Sequence, residues 1–160
     1  MKKLNTRGDE LYSDDVFQVL FDYEVTRCQR YPAPLSLLQI EMRPTTLNEE
    51  AISSAASVFA SALNAHLCSV DIPSQKGNIF SVLLPTSDEH GAHAVCERLL
   101  SVFKNKFDSP KGVSFVFSLQ IGATAITGGT DISSESIMQK ANEALKQSRL
   151  KGANTYVYLP

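Results

Sequence analysis

The spacing of apolar residues predicts a chain in which helices and strands follow one another. Apolar positions recur at helical spacing in four segments, residues 14–30, 47–66, 86–106 and 134–152. Apolar runs typical of buried strands cover residues 35–42, 113–125 and 156–159. Thr86 and Glu89 have the spacing of a capping box at the start of the third helix, and Gly152 is a natural end for the fourth. The pattern therefore predicts an α/β domain.

Residues 71–84 predict a β-hairpin between the second and third helices. Two apolar runs flank a stretch of Pro, Ser, Lys and Gly, which places the turn near Ser74 to Gly77. Many enzymes that polymerise nucleotides carry acidic residues at the tip of such a hairpin, because metal-bound carboxylates must face a triphosphate. No acidic residue lies between Ile72 and Leu84, so we predict no metal site at this tip.

Composition limits the chain to one domain and disfavours some partners. At 160 residues with 43% hydrophobic content, it can bury one core, and we assign residues 1–8 to an N-terminal tail and 9–160 to the domain. The net charge of -2 disfavours a nucleic acid as the main partner. The three scattered cysteines indicate reduced thiols of a cytoplasmic protein. No apolar stretch predicts a secretory signal or a membrane span.

Four segments, in order and at matching spacing, resemble GGDEF domains, the domains of diguanylate cyclases. They are residues 24–40, 80–100, 118–123 and 141–154. In the second of these, Phe80 stands at the signature phenylalanine, Leu-Leu-Pro ends the strand, and Gly-Ala and Glu-Arg lie in the helix that follows. The resemblance covers residues 9–158. It implies an α/β fold of the α+β sandwich type, the palm-like fold of nucleotide cyclases, with a mixed, mostly antiparallel sheet of about five strands flanked by helices.

The signature itself departs from the family pattern. With Phe80 aligned, Lys76, Gly77, Asn78 and Ile79 occupy the four preceding signature positions. Glycine is retained, as a tight turn with positive φ requires, but a neutral amide and an apolar side chain replace the two acids. The resemblance therefore implies a degenerate signature with no catalytic residue and no bound metal.

Further positions that the resemblance implicates are also changed. Glu41 stands at the family's first metal-binding aspartate and Arg43 at the second acid. Glu41 could still bind a metal, although a strand-end glutamate in water is the simpler interpretation. Residues 67–70 lack both charges of the family's inhibitory Arg-x-x-Asp, and no guanine-reading pair is recognisable. Of the two cations that grip the triphosphate, Arg149 is kept and the second position holds Ala153.

Two other groups leave alternatives open. Glu41, Lys76, Asn78 and Arg149 are the candidate nucleotide-binding residues, although a lysine at the tip of a turn more often only contacts solvent. His90, His93 and Glu97 share a helix face and could ligate zinc, but solvated polar residues explain the same spacing more simply.

We therefore expect a catalytically inactive GGDEF-like domain in bacterial signalling. Its role would be regulatory, with a protein partner or a homodimer, and with neither a cofactor nor a membrane. The alternative is a sensor that binds GTP or cyclic di-GMP without turnover. A third hypothesis is an active cyclase that combines Glu41 with an acid from elsewhere. Stabilisation of the transition state would require both acidic side chains to be in position before the reaction begins.

Overall fold

A computed structural model describes residues 10–45, 49–109, 112 and 114–160. The predicted tail, residue 9 and the predicted start of the second helix at residues 47 and 48 lie outside them. Four helices occur within the described residues, and all four were predicted from apolar spacing. They are α1 (Asp14–Arg30), α2 (Glu49–Ala65), α3 (Glu89–Val102) and α4 (Ser134–Lys151).

The strands form one main sheet and one small one. The main sheet has five strands in the order β2-β3-β1-β6-β7, and a two-stranded sheet pairs β4 with β5. All pairings in the main sheet are antiparallel except that of β6 with β7. This arrangement confirms the predicted mixed, mostly antiparallel sheet. The strands are β1 (Leu35–Pro44), β2 (Ile72–Lys76), β3 (Ile79–Pro85), β4 (Phe107–Asp108), β5 (Ser114–Phe115), β6 (Phe117–Ile126) and β7 (Thr155–Leu159).

Helices cover both faces of the main sheet and bury two apolar clusters. On one face, α2 and α3 pack over Leu38, Ile40 and Phe80 in the larger cluster. Phe59 of α2 lies at its centre, with its ring centroid 4.6 Å from that of Phe80. On the other face, α1 and α4 cover a smaller cluster that includes Leu35 and Leu37. Removal of these apolar surfaces from water is the main stabilisation of the fold.

The second face of β1 changes from apolar to polar along the strand. Because side chains alternate between the faces of a strand, Leu37, Gln39, Glu41 and Arg43 project to the side covered by α1 and α4. Leu37 lies in the apolar cluster, whereas Gln39 and Glu41 are buried polar residues. The apolar cluster therefore covers one half of this face, and the other half, where α4 contacts Gln39 and Glu41 through polar side chains, forms the floor of a polar site.

Gly122 of β6 allows α4 to lie directly on the sheet. A Cβ atom at this position would be 2.1 Å from the backbone nitrogen of Leu145 and 2.4 Å from the carbonyl oxygen of Ala141. Any larger side chain would push the helix away from the strand. A glycine inside a strand suggests either a bulge or a close approach of another backbone, and at Gly122 the structure shows the close approach.

The segment before α1 lies against the outer edge of β2. Tyr12 forms an isolated parallel bridge with Ser74. The Tyr12 amide donates to the Pro73 carbonyl oxygen at 3.1 Å, and the Gln75 amide donates to the Tyr12 carbonyl oxygen at 3.3 Å. This edge of the sheet is thus covered by its own chain.

Several predicted boundaries were wrong, including the end of α3, which lies at Val102 and not at residue 106. The hairpin turn is Gly77–Asn78, since Ser74 and Gln75 pair with β3. Helix α3 begins at Glu89, because Asp88 caps it by accepting a hydrogen bond from the Gly91 amide at 3.0 Å. The long strand predicted at residues 113–125 is divided between β5 and β6. No helix within the described parts of the chain is both long and apolar enough to cross a membrane.

Candidate functional site

The candidate site is centred on the carboxylate of Glu41, near the end of β1. Arg149 of α4 donates from Nε to Glu41 Oε1 at 2.7 Å. Arg43 donates from Nη2 to Glu41 Oε2 at 3.2 Å, and Asn78 donates from Nδ2 to the same oxygen at 3.5 Å. Glu41 is only 6% exposed. The expectation of a solvated strand-end glutamate was therefore wrong, because α4 and the hairpin turn enclose the side chain.

The two arginines keep the Glu41 carboxylate ionised. Burial is the largest single influence, and it raises the pKa of Glu41 by disfavouring the charged form. The hydrogen bonds and positive charges of Arg149 and Arg43 together outweigh burial and lower the pKa below its ordinary value. Both carboxylate oxygens are thus engaged by side chains of the protein itself.

The hairpin turn brings its amide to Glu41 but presents no acid. Gly77 has φ of +63°, the left-handed conformation predicted for this glycine. The carbonyl oxygen of Asn78 accepts from the Met42 amide at 3.0 Å, which fixes the turn against β1. Ile79 is half-buried, and Phe80 is fully buried in the core. Asn78 and Ile79 therefore place an amide and an apolar side chain at the two signature positions where the family resemblance leads one to look for acids.

Lys76 lies beside this cluster and does not join it. Its Nζ is 3.7 Å from Asp14 Oδ2, in an exposed ion pair with α1. Lys76 and Arg149 both line a cleft of about 550 Å³ between α1, α4 and the hairpin. Arg149 also borders a second cleft of about 360 Å³, which includes Glu41 and Arg43. Of the four candidate nucleotide-binding residues, the structure brings Glu41, Asn78 and Arg149 together and leaves Lys76 at the rim of the first cleft.

A second polar group, which was not predicted from the sequence, lies on the floor of the larger cleft. Gln39 is buried and donates from Nε2 to Asn142 Oδ1 on α4 at 2.8 Å. The hydroxyl of Ser81, its partner on β3, donates to Gln39 Oε1. One feature of the sequence could have revealed this group, namely two polar residues two positions apart in β1. Gln39 and Glu41 must lie on the same face of the strand, because successive side chains alternate between its faces. The side chains of Gln39, Ser81 and Asn142 are uncharged. They can form hydrogen bonds with the polar edge of a ligand, but they supply no acid or base for catalysis.

The charges of the site favour an anion over a metal ion. Arg43 and Arg149 surround a single carboxylate, so this corner carries a net positive charge. Within residues 10–45, 49–109, 112 and 114–160, no three His, Cys, Asp or Glu side chains are grouped so that they could hold a metal ion. A two-metal centre needs several such ligands.

The third helix holds the other group that sequence analysis singled out. His93 is half-buried, and its Nδ1 lies 2.8 Å from the hydroxyl of Tyr156 on β7. That hydroxyl donates to Glu97 Oε2 at 3.3 Å, whereas His90 is exposed. The expectation that this whole face is solvated was wrong for His93, because β7 packs against it.

Comparison with solved structures identifies the fold. The chain matches no protein-family model and no curated protein sequence. It superimposes on the GGDEF domain of YfiN, also called TpbB, from Pseudomonas aeruginosa with a TM-score of 0.83 at 15% identity, over 95% of this chain and 98% of that one. The diguanylate cyclase SiaD of the same organism, solved with its activator SiaC, gives 0.83 at 16% identity, over 98% of this chain and 62% of that one.

A third similar structure is an active GGEEF domain of a diguanylate cyclase from Vibrio cholerae. It gives a TM-score of 0.79 at 15% identity, over 94% of this chain and 99% of that one. These matches extend over nearly the whole of this chain, so the likeness concerns its overall fold. The chain is therefore a GGDEF-like domain in its fold.

Proposed function

We propose that this domain is catalytically silent and acts as a regulatory, protein-interaction module in bacterial signalling. The observation that carries the proposal is the state of Glu41. Its carboxylate is paired with Arg149 and Arg43, and the turn beside it contributes the amide of Asn78. Condensation of two GTP molecules to cyclic di-GMP, with release of two pyrophosphates, requires metal ions to offset the charge that develops as each 3′-hydroxyl attacks an α-phosphate. The Glu41 carboxylate is already paired with two arginines, so we infer that it does not hold such metal ions.

The relatives are compatible with an interaction role. SiaD was solved in complex with its protein activator, SiaC, so a domain of this fold occurs in a protein that binds a partner. A fold alone does not determine function. The proposal therefore depends on the site rather than on the likeness.

The test is a turnover assay of the purified chain with GTP and Mg²⁺ or Mn²⁺, in which cyclic di-GMP and pyrophosphate are measured. We expect neither product above the enzyme-free baseline. The matched control is Glu41→Gln, which removes the site's carboxylate and keeps its shape. Turnover that disappears in Glu41→Gln would refute the proposal, whereas turnover of equal rate in both proteins would come from a contaminating enzyme.

A second function, nucleotide sensing without turnover, is favoured by the cleft of about 550 Å³. Lys76 and Arg149 supply two cations at its wall, and Gln39, Ser81 and Asn142 supply neutral hydrogen-bonding groups. This combination suits a phosphate joined to a polar ring system.

Calorimetric titration with GTP, ATP and cyclic di-GMP, with and without magnesium, tests this second function. Binding that does not need magnesium and is lost in Arg149→Ala supports it. The control is Lys151→Ala, which removes a cation from the same last turn of α4 outside the cleft. The absence of heat at high ligand concentration would eliminate the sensor.

A further inference from the structure

Strand β7 forms an edge of the main sheet, and its sequence has none of the usual protections of an edge. Its residues, Thr155–Leu159, are β-branched, aromatic or apolar, and none is charged. Natural sheets protect their edges with charged residues, prolines, bulges or a covering segment, because unpaired backbone groups bind other strands. Tyr12 covers the opposite edge, at β2. Within the residues that the structure describes, β7 pairs only with β6, and its outer side has no strand or bridge.

The two faces of β7 have different surroundings. Tyr156 and Tyr158 project toward α3, where their ring centroids lie 5.6 and 4.7 Å from that of His93. Leu159 lies instead on the α4 side, where it lines a cleft of about 450 Å³ with residues of that helix. A strand added beside β7 would continue this alternation, so every second side chain of that strand would lie on the α3 side.

The α3 side of this edge is acidic. Glu89 and Glu97 lie about two turns apart on α3, and both are exposed. Burial, and after it the charge of the neighbouring carboxylate, raises the pKa values of Tyr156 and Tyr158. Neither carboxylate forms an ion pair within the described parts of the chain. The guanidinium of Arg98 donates to the backbone carbonyl oxygen of residue 66 at 2.9 Å and leaves both charges unpaired.

We propose that the outer edge of β7 binds an extended segment of a partner protein in which basic and uncharged residues alternate. This inference rests on the proposed interaction role and names the surface and the chemistry of the partner. Backbone hydrogen bonds to the strand edge provide affinity, and the alternating side chains provide specificity. The basic side chains lie on the α3 side, beside the tyrosine rings and the carboxylates of Glu89 and Glu97.

The cleft on the α4 side explains why the intervening residues are uncharged. Lys140 and Glu143 both line it, and their opposite charges offset each other. Leu159 contributes an apolar wall. An apolar side chain of the added segment therefore fits this side better than a charged one does.

Fluorescence anisotropy with a labelled peptide tests the docking on the full chain. The probe is a synthetic peptide of about seven residues in which lysine and valine alternate, long enough to cover the strand. We expect saturable binding. The same peptide with glutamate in place of lysine should bind at least about tenfold more weakly, because like charges would then face Glu89 and Glu97.

Methylated peptides test whether the backbone forms the contact. Methylation of the amides of alternate residues removes the donors from one edge of an extended peptide, since successive amides point to opposite edges. One peptide is methylated at its valines and another at its lysines. Only one of the two should keep its binding, because only one set of amides faces β7.

Charge variants of the protein test the acidic side. Glu89→Gln with Glu97→Gln keeps the shape of both side chains and should weaken binding at least about tenfold. The matched control, Asp15→Asn with Asp131→Asn, removes two charges from exposed positions on α1 and in the loop before α4, and should leave binding unchanged. Hydrogen exchange should slow in β7 and not in β2 when the peptide binds. Circular dichroism verifies that the variants fold.

The absence of saturable binding overturns this inference. So does binding that survives Glu89→Gln with Glu97→Gln, or equal binding of the two methylated peptides. Protection of β7 that rises with protein concentration in the free chain would place a second copy at the edge and would also overturn it. None of these outcomes produces cyclic di-GMP, so failure of the docking is distinguishable from failure of catalytic silence, which the turnover assay detects separately.

Discussion

Replacement of Arg149 by alanine tests whether the Glu41 cluster stabilises the folded state. The substitution removes the shorter of the two ion-pair contacts to Glu41, the 2.7 Å contact. The carboxylate stays buried, with Arg43 and Asn78 on its other oxygen. One oxygen of an ionised group then lacks the donor that offset its burial.

The size of the effect follows from the exposure of the two partners. A hydrogen bond to a charged group contributes about 1.5–3 kcal/mol, and breaking a fully buried ion pair costs about 3–5 kcal/mol. The side chain of Glu41 is 7% exposed but that of Arg149 is 44% exposed, so solvent screens this pair in part. We therefore expect Arg149→Ala to lower the free energy of unfolding by about 1.5–2.5 kcal/mol at neutral pH.

The pH dependence has a definite sign. In the native protein the pKa of Glu41 is lowered, so its stabilisation is present above the unfolded pKa of about 4.3 and is lost as pH falls through the folded value. Without Arg149, burial raises the pKa of Glu41 relative to the native protein. The difference in stability between the native chain and Arg149→Ala should therefore be largest near neutral pH and should shrink below about pH 4.5.

Urea denaturation at neutral and acidic pH measures both effects. Lys151→Ala is the matched control, because it removes a cation from the same turn and should cost less than about 1 kcal/mol through the helix dipole alone. A double-mutant cycle with Glu41→Gln isolates the pair. If Arg149→Ala costs no more than Lys151→Ala, or costs the same at both pH values, the role assigned to the Glu41 cluster is wrong.

Three further predictions concern other parts of the fold. Gly122→Ala should destabilise the protein by about 3 kcal/mol or more, since the added methyl group meets the backbone of α4; a denaturation midpoint unchanged by this substitution would contradict that packing. Asp88→Ala should cost about 1 kcal/mol through loss of the α3 cap, measured in the same way. Iodoacetamide should modify only exposed Cys68 in the folded protein, because burial raises the pKa values of the Cys28 and Cys96 thiols; mass spectrometry that finds a second rapid modification would contradict it.

The sequence predicted the elements well and the contacts between them less well. Apolar periodicity located all four described helices and the strands of the main sheet, since each buries one face or stripe. The family resemblance placed Phe80 at the signature phenylalanine directly after the hairpin turn, and its side chain is fully buried. These properties depend on residues near one another in the chain.

The environment of Glu41 could not be predicted in that way. Its closest cation, Arg149, is 108 positions away in the sequence, and the contact depends on which face of β1 receives α4. The hairpin turn was misplaced for a related reason. Ser74 and Gln75 are polar residues typical of a turn, but pairing with β3 and the Tyr12 bridge extends the strand through them. Tertiary contacts decided both cases.

The bridge between Tyr12 and β2 connects the segment ahead of α1 to the edge of the sheet that carries the hairpin turn. The backbone hydrogen bonds of Tyr12 lie on both sides of Ser74, and β2 ends at Lys76, directly before the turn that presents Asn78 to Glu41. An edge strand with unpaired backbone groups is a template for pairing with another chain. Around Ser74 those groups are already used, so this part of the edge is closed to strand addition and the turn beside it stays next to Glu41.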